Sequence, residues 1–241
     1  MQHAYALKMI QNLRKANQKV LEQLKSVRPH PDLAQHLPVG SPLSQLTANA
    51  KEADNAWPLF QALWQELTLE GHGRPPILFC LDGLSHIMKV SDYRSPAFER
   101  IHSHDLALVK LFNDCLSGAD KMLPNGGVVL GATSRGNAPR SASMDLALAQ
   151  REAEQKGLEV PQSDPYFRHY DARVEAVLKS VQVMDVQAVS KGEARAVLEY
   201  WAASGLLRDT VDEKTVSEKW TIGGNGILGE MERVTLLSMS V

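Results

Sequence analysis

I-L-F-C-L-D-G-L, residues 77–84, is the stretch from which the fold is read. Five apolar residues lead into a single acid, Asp82, and then Gly83, with Pro75 and Pro76 marking the start. A run this short, between a proline pair and a glycine, predicts a strand buried on both faces, as in a parallel sheet. A second such run, G-V-V-L-G-A at 127–132, ends in Thr133, Ser134, Arg135 and Gly136. A helical stretch separates the two, so the unit is strand, crossover helix, strand. That unit closes right-handed and leaves both strand C-termini on one edge of the sheet. Ligands of α/β proteins bind along that edge, which makes Asp82 and the Thr133-Ser134-Arg135 cluster the candidate site.

Composition narrows the class. The chain has 241 residues, 44% hydrophobic and 22% charged, close to the globular average, which argues against disordered and fibrous classes. A length of this order allows one large domain, or a domain with a small appendage. The net charge of -2 supplies no global basic field, so any nucleic-acid contact has to be local. Cys80 and Cys115 fall in the buried strand and the crossover helix and read as small core residues, which predicts a reducing compartment. No run reaches transmembrane length, and no membrane contact is expected. Met1 opens directly into a helical pattern, without an apolar signal core or an Arg-rich presequence. The expectation is a chain that is cytosolic as it stands, or one whose true beginning lies upstream.

Before the first strand, Leu7, Ile10, Leu13, Val20, Leu21 and Leu24 recur at three- and four-residue spacings and predict an amphipathic helix over 5–27. Residues 28–38 hold three prolines and read as a loop. Ser41-Pro42 is a strong helix start, followed by an apolar stripe to Leu67 that Pro58 must kink or split. After the first strand, 85–100 reads as an irregular loop, and a helix is expected from Ser103 to the glycine stop at 118. His102 and His104 invite a metal reading, but no further His or Cys stands at ligand spacing.

Further on, 137–143 reads as a loop and 144–156 as a short helix ending at Gly157. Tyr166, Phe167, Arg168, His169 and Tyr170 form an aromatic-basic patch, able to stack on RNA or to anchor its own loop. Residues 181–189, V-Q-V-M-D-V-Q-A-V, alternate and predict another strand. From Ser190 the chain turns helical throughout. Ser190 and Glu193 make a capping box ahead of a helix that Gly205 ends, a second helix spans 212–220, and G-G-N-G at 223–226 turns into a third over 228–237. The division expected is an α/β core over 1–189 and an all-helical lid over 190–241.

An acid at the end of a buried strand is what a P-loop nucleotide hydrolase uses to hold Mg²⁺, usually through water. Many α/β strands also end in Asp-Gly simply to turn. No G-x-x-x-x-G-K-S/T occurs, so no backbone nest or lysine is available to cradle phosphates. Gly83 stands where active ATPases carry a second acid, so efficient hydrolysis is not expected.

An ordered series of segments resembles the death-associated protein 3 family of mitochondrial small-subunit ribosomal proteins, over nearly the whole chain. The segments are N-L-R-K-A-N-Q-K-V-L-E-Q-L (12–24), G-S-P-L (40–43), L-D-G-L (81–84), H-D-L-A-L-V (104–109), G-A-T-S (131–134) and G-G-N-G with its following helix (223–237). The resemblance implies an AAA-like P-loop NTPase fold, here a partial parallel sheet with a C-terminal all-helical lid. It also implies a structural place in the mitochondrial ribosome, with small-subunit proteins and rRNA as partners and large-subunit contacts nearby. The implied cofactor is GTP or GDP with Mg²⁺. Asp82 would be the water-mediated Mg²⁺ acid, Thr133, Ser134 and Arg135 the sensor strand end, and Gly224 and Asn225 the nucleotide-facing corner of the lid. The family's phosphate-binding loop and its strand lie upstream of anything present here, so the expectation is a truncated chain without its targeting peptide. Two rival readings remain: a free-standing P-loop GTPase or ATPase whose first strand is missing, and an adaptor on a degenerate nucleotide fold.

Overall fold

The computed structural model describes residues 2–33, 35, 37–49, 56–118, 122–133 and 139–237. The chain divides into two compact units, Met1–Gln182 and Val183–Val241. The architecture is mixed α/β, with a small parallel sheet and a majority of helix.

In the first unit, α1 (Gln2–Gln23), α2 (Leu43–Asn49) and α3 (Ala56–Leu67) bury Ile10, Leu21, Leu43, Leu46, Leu59 and Leu63 in one cluster. The three- and four-residue spacing of the apolar positions puts them on the facing stripes of these helices. The stripe expected after Ser41 is divided between α2 and α3, with 50–55 outside the described residues. Pro58 falls in the first turn of α3, where its missing N–H removes no helical hydrogen bond.

One buried charge ties this layer together. The wholly buried Glu66 on α3 accepts the amides of Val27 (3.1 Å to each oxygen) and Arg28 (2.8 Å). Its carboxylate also meets His30 Nε2 at 3.2 Å and Arg74 Nη2 at 2.7 Å. The same Arg74 nitrogen donates to the Lys25 carbonyl at 2.7 Å.

The two strands read from sequence both form. β1 (Ile77–Asp82) and β4 (Gly127–Ala132) pair in parallel, in register from Ile77↔Gly127 to Asp82↔Ala132. Between them come β2 (Val90–Arg94), β3 (Arg100–His102) and the crossover helix α4 (Ala107–Leu116). Phe79, Leu81 and Val129 pack on a cluster holding Phe112 of α4, Met144 of α5 (Ala142–Lys156), and Val174 and Leu178 of α6 (Ala172–Leu178). Trp57, Phe60, Trp64, Phe79 and Phe112 form a continuous row of rings that joins this core to α3. The opposite face corrects the expectation of burial on both sides. Leu78 is 71% exposed, and Cys80, Val128 and Leu130 are exposed beside it.

Three further expectations are corrected. Residues 85–100 are not one loop: β2 and β3 pair antiparallel as a hairpin. The helix expected from Ser103 begins at Ala107 instead. Before it, Ser103–Asp105 makes a tighter turn, capped by the His102 ring, which accepts the His104 amide at 3.1 Å. Residues 181–189 form no strand, because alternation supplies a face but not a ladder partner, and Met184 and Val186 are solvent-exposed.

The second unit packs α7 (Lys191–Ala203), α8 (Glu213–Ile222) and α9 (Leu228–Glu232) around Ala194, Leu198, Leu207, Val216 and Met231. The capping box forms, with Ser190 Oγ accepting the Glu193 amide and Glu193 accepting the Ser190 amide. Asp212 caps α8 by accepting the Thr215 amide at 2.7 Å. The 223–226 turn closes on the segment before α7: the Val189 amide donates to the Gly226 carbonyl (2.9 Å), and Trp220 Nε1 donates to the Val189 carbonyl (2.8 Å). Gly226 has φ +98°, and a Cβ there would lie 2.1 Å from the Val189 oxygen, so only glycine fits.

Candidate functional site

The C-terminal edge of the parallel pair brings Asp82 and Thr133 together. Asp82 lies in register with Ala132, and Thr133 is the next residue after β4. Gly83 follows Asp82 in the left-handed region at φ +80°, and its carbonyl accepts the His86 amide at 2.9 Å. The chain therefore leaves the sheet at once, with the Asp82 and Thr133 side chains in solvent. Ser134 and Arg135 lie outside the described residues. Gly224 and Asn225 belong to the second unit, both exposed, with φ +69° and +61°. Asparagine tolerates that backbone better than other side chains.

Asp82 presents an exposed carboxylate with no hydrogen bond or ion pair among the described residues, which suits one water-mediated Mg²⁺ contact. Among the described residues no group of three His, Cys, Asp or Glu stands together as a metal site. The sequence holds no G-x-x-x-x-G-K-S/T, so the described residues do not by themselves make a phosphate site.

A second polar cluster was not foreseen as a unit. His102, at the end of β3, is buried with its Nε2 2.9 Å from Asp171 Oδ2. Its Nδ1 accepts the His104 amide, which leaves Nε2 as the ring nitrogen beside the carboxylate. Asp171 caps α6 by accepting the Arg173 amide at 2.9 Å and itself receives the Ser143 hydroxyl as acceptor for its own amide, at 2.8 Å. Arg173 reaches Asp105 at 3.4 Å. The two histidines stand close in the sequence, but Asp171 is nearly seventy positions away, so no local spacing joins it to them.

Burial, and then the Arg173 charge, push the His102 imidazole below its ordinary value, against the pull of Asp171 and Asp105. Burial and the adjacent His102 push His104 down to about 4. For Asp171, burial works upward, but the Arg173 amide, His102 and the Arg173 charge outweigh it and hold the carboxyl low. Above pH 6.5 both imidazoles are neutral, folded or unfolded, and nothing is lost. Between 6.5 and about 4 the unfolded chain takes up protons that the folded chain refuses, so stability falls as pH drops. The expected loss is on the order of 2 kcal/mol, with a further loss below the usual carboxylate range as Asp171 protonates. Urea midpoints across this window read it directly. His104→Asn should flatten the slope, and an unchanged slope would show that these rings are not its source.

The aromatic-basic patch divides. Phe167 and Tyr170 pack edge to face at 4.7 Å, anchoring the loop, while Tyr166 stands 91% exposed.

Comparison with known proteins places this geometry in context. Residues 1–234 match the family model described as mitochondrial ribosomal death-associated protein 3. The chain is 66% identical over 240 residues to the small ribosomal subunit protein mS29 of Neurospora crassa, covering 99% of this chain and 51% of that protein. It is 25% identical over 202 residues to mS29 of Schizosaccharomyces pombe, covering 82% of this chain and 40% of that protein. The chain thus spans about half or less of the curated relatives it matches.

Proposed function

Because the chain belongs to the mitochondrial ribosomal death-associated protein 3 family, we propose that it is a structural component of the mitochondrial small ribosomal subunit, supporting translation in the matrix. The observation that carries this reading is the 66% identity to a protein named for that subunit, sustained over 99% of the chain. Small-subunit proteins and rRNA are its partners, with large-subunit contacts nearby. The test is sedimentation of a tagged chain in mitochondrial lysate. The tag is expected in the small-subunit fraction, and to remain there when low magnesium separates the subunits. Migration only at the top of the gradient would sink the reading.

We further propose guanine-nucleotide binding on an AAA-like P-loop fold. It is supported by the parallel β1–β4 pair with an unpartnered acid at the C-terminal end of one strand. Asp82 would orient a Mg²⁺-bound water, while phosphate ligands come from outside the described residues. In the protein at its relatives' full length, Asp82→Ala is expected to lower bound guanine nucleotide severalfold. The thermal midpoint should stay within about 2 °C, because an exposed strand-end carboxylate without partners leaves no cavity. Nucleotide content is read by chromatography after denaturation. Unchanged content counts against the role, and loss of folding makes Asp82 structural.

A further inference from the structure

The β2–β3 hairpin closes on three residues, Pro96, Ala97 and Phe98. The Ser95 amide donates to the Glu99 carbonyl (2.8 Å) and the Phe98 amide to the Ser95 carbonyl (2.9 Å). A loop of this length is a tight turn followed by one residue in the left-handed region, a place glycine normally takes. Here the residue is Phe98, at φ +62°. A bulky side chain is a true outlier there, so the backbone is strained. The surroundings hold it in place: Ser95 Oγ accepts the amides of Ala97 (3.2 Å) and Glu99 (3.3 Å), and Arg94 Nη1 donates to the Phe98 carbonyl (2.7 Å). The ring itself is 77% exposed, so packing among the described residues does little to offset the strain.

The same tip carries a second unfavourable arrangement. Arg94 and Arg100 are directly opposite one another in the strand pair, and like charges so placed repel. Neither guanidinium is in an ion pair among the described residues. A glycine at 98 and an acid at 94 would relieve both defects, yet the hairpin keeps an outward ring and an uncancelled pair of cations. A ligand that offers a flat apolar face beside negative charge covers the exposed ring and cancels the repulsion, and the energy so gained offsets the backbone strain. Single-stranded RNA offers this repeatedly, a base next to phosphates. Asp92 and Glu99 flank the tip, so the positive charge is confined to the two guanidiniums and suits a few phosphates rather than a duplex groove.

We infer that the hairpin tip is a contact for single-stranded rRNA, with Phe98 stacking on a base and Arg94 and Arg100 holding adjacent phosphates. This rests on the ribosomal reading above and gives it a site. The test is fluorescence anisotropy of a short labelled single-stranded RNA with the whole 241-residue chain, across a range of salt. Phe98→Gly is expected to weaken binding about tenfold with an unchanged salt dependence, while raising the thermal midpoint by relieving the strain. Phe98→Trp keeps the affinity. Arg94→Gln with Arg100→Gln lowers the slope of log affinity against log salt by about 1.4, the value for two phosphate contacts on a single strand. Absence of RNA binding by the wild-type chain overturns the inference, as does a Phe98→Gly chain that binds RNA as the wild type does. If Phe98→Gly abolishes subunit sedimentation with RNA affinity intact, the tip meets a protein neighbour and the inference is equally overturned. Subunit sedimentation of the wild type, scored separately, decides the ribosomal reading whichever way the RNA result falls.

Discussion

Glu66→Ala is expected to cost about 3–5 kcal/mol, the range for removing one partner of a buried ion pair. That is a large part of the 5–15 kcal/mol that typically separates folded from unfolded domains. The substitution strands the Arg74 guanidinium in the interior with the Lys25 carbonyl as its remaining acceptor, and it orphans the amides of Val27 and Arg28. Glu66→Gln keeps the shape and one acceptor oxygen, so it should cost less than alanine. The informative variant is double. Glu66→Leu with Arg74→Met removes both charges together and should be milder than either change alone. Urea unfolding of the Ala and Gln variants, the double variant and its two single changes gives the comparison. A Glu66→Ala chain within about 1 kcal/mol of the wild type would show that water reaches the cluster and that the pair is not the tie described.

The second large effect is on association. Leu78, Cys80, Val128 and Leu130 make a contiguous exposed apolar face on a parallel strand pair, a kind of sheet that is ordinarily covered on both sides. Among the described residues β1 and β4 each pair with one strand only, so each also has an open edge. Burying a leucine or valine side chain of this kind is worth ~1.5–3 kcal/mol, and several act together, so the isolated chain is expected to self-associate as concentration rises. Leu78→Lys with Val128→Lys should return it to monomer. Stability should change by no more than about 1 kcal/mol, since neither side chain contributes to the core. Sedimentation velocity decides: a wild-type chain that stays monomeric at every concentration would remove the argument.

What was legible in the sequence was what short-range chemistry specifies. I-L-F-C-L-D and G-V-V-L-G-A formed the strands expected, and the Ser190–Glu193 box capped the helix it preceded. The same chemistry could not say that β1 is covered on one side only, because an unbroken apolar run carries no alternation to betray an open face. Alternation misled at 181–189 for the converse reason: a period of two names a face but supplies no partner. The hairpin went unread because S-P-A-F lacks the glycine that its turn would lead one to expect, and Phe98 hides the signal by occupying that place. Glu66 meets Val27, Arg28 and His30 across 36 to 39 positions, beyond the reach of periodicity. Of the site residues, the strand ends of Asp82 and Thr133 followed from the parallel unit alone. Gly224 and Asn225 came only through the family resemblance, and the backbone shows them to be turn residues of the second unit.

The open face of the sheet also has a use at the bench. Cys80 lies on it with its sulfur side toward solvent, while Cys115 is buried in α4, its thiol pushed up to about 11 by burial and by Asp114. Alkylating reagents attack the thiolate, so at neutral pH the two cysteines should differ sharply in labelling rate. The chain thus carries its own footprinting probe. Whatever comes to lie across β1 and β4, whether another copy of the chain or a different partner, should slow the labelling of Cys80 and leave Cys115 as the internal standard.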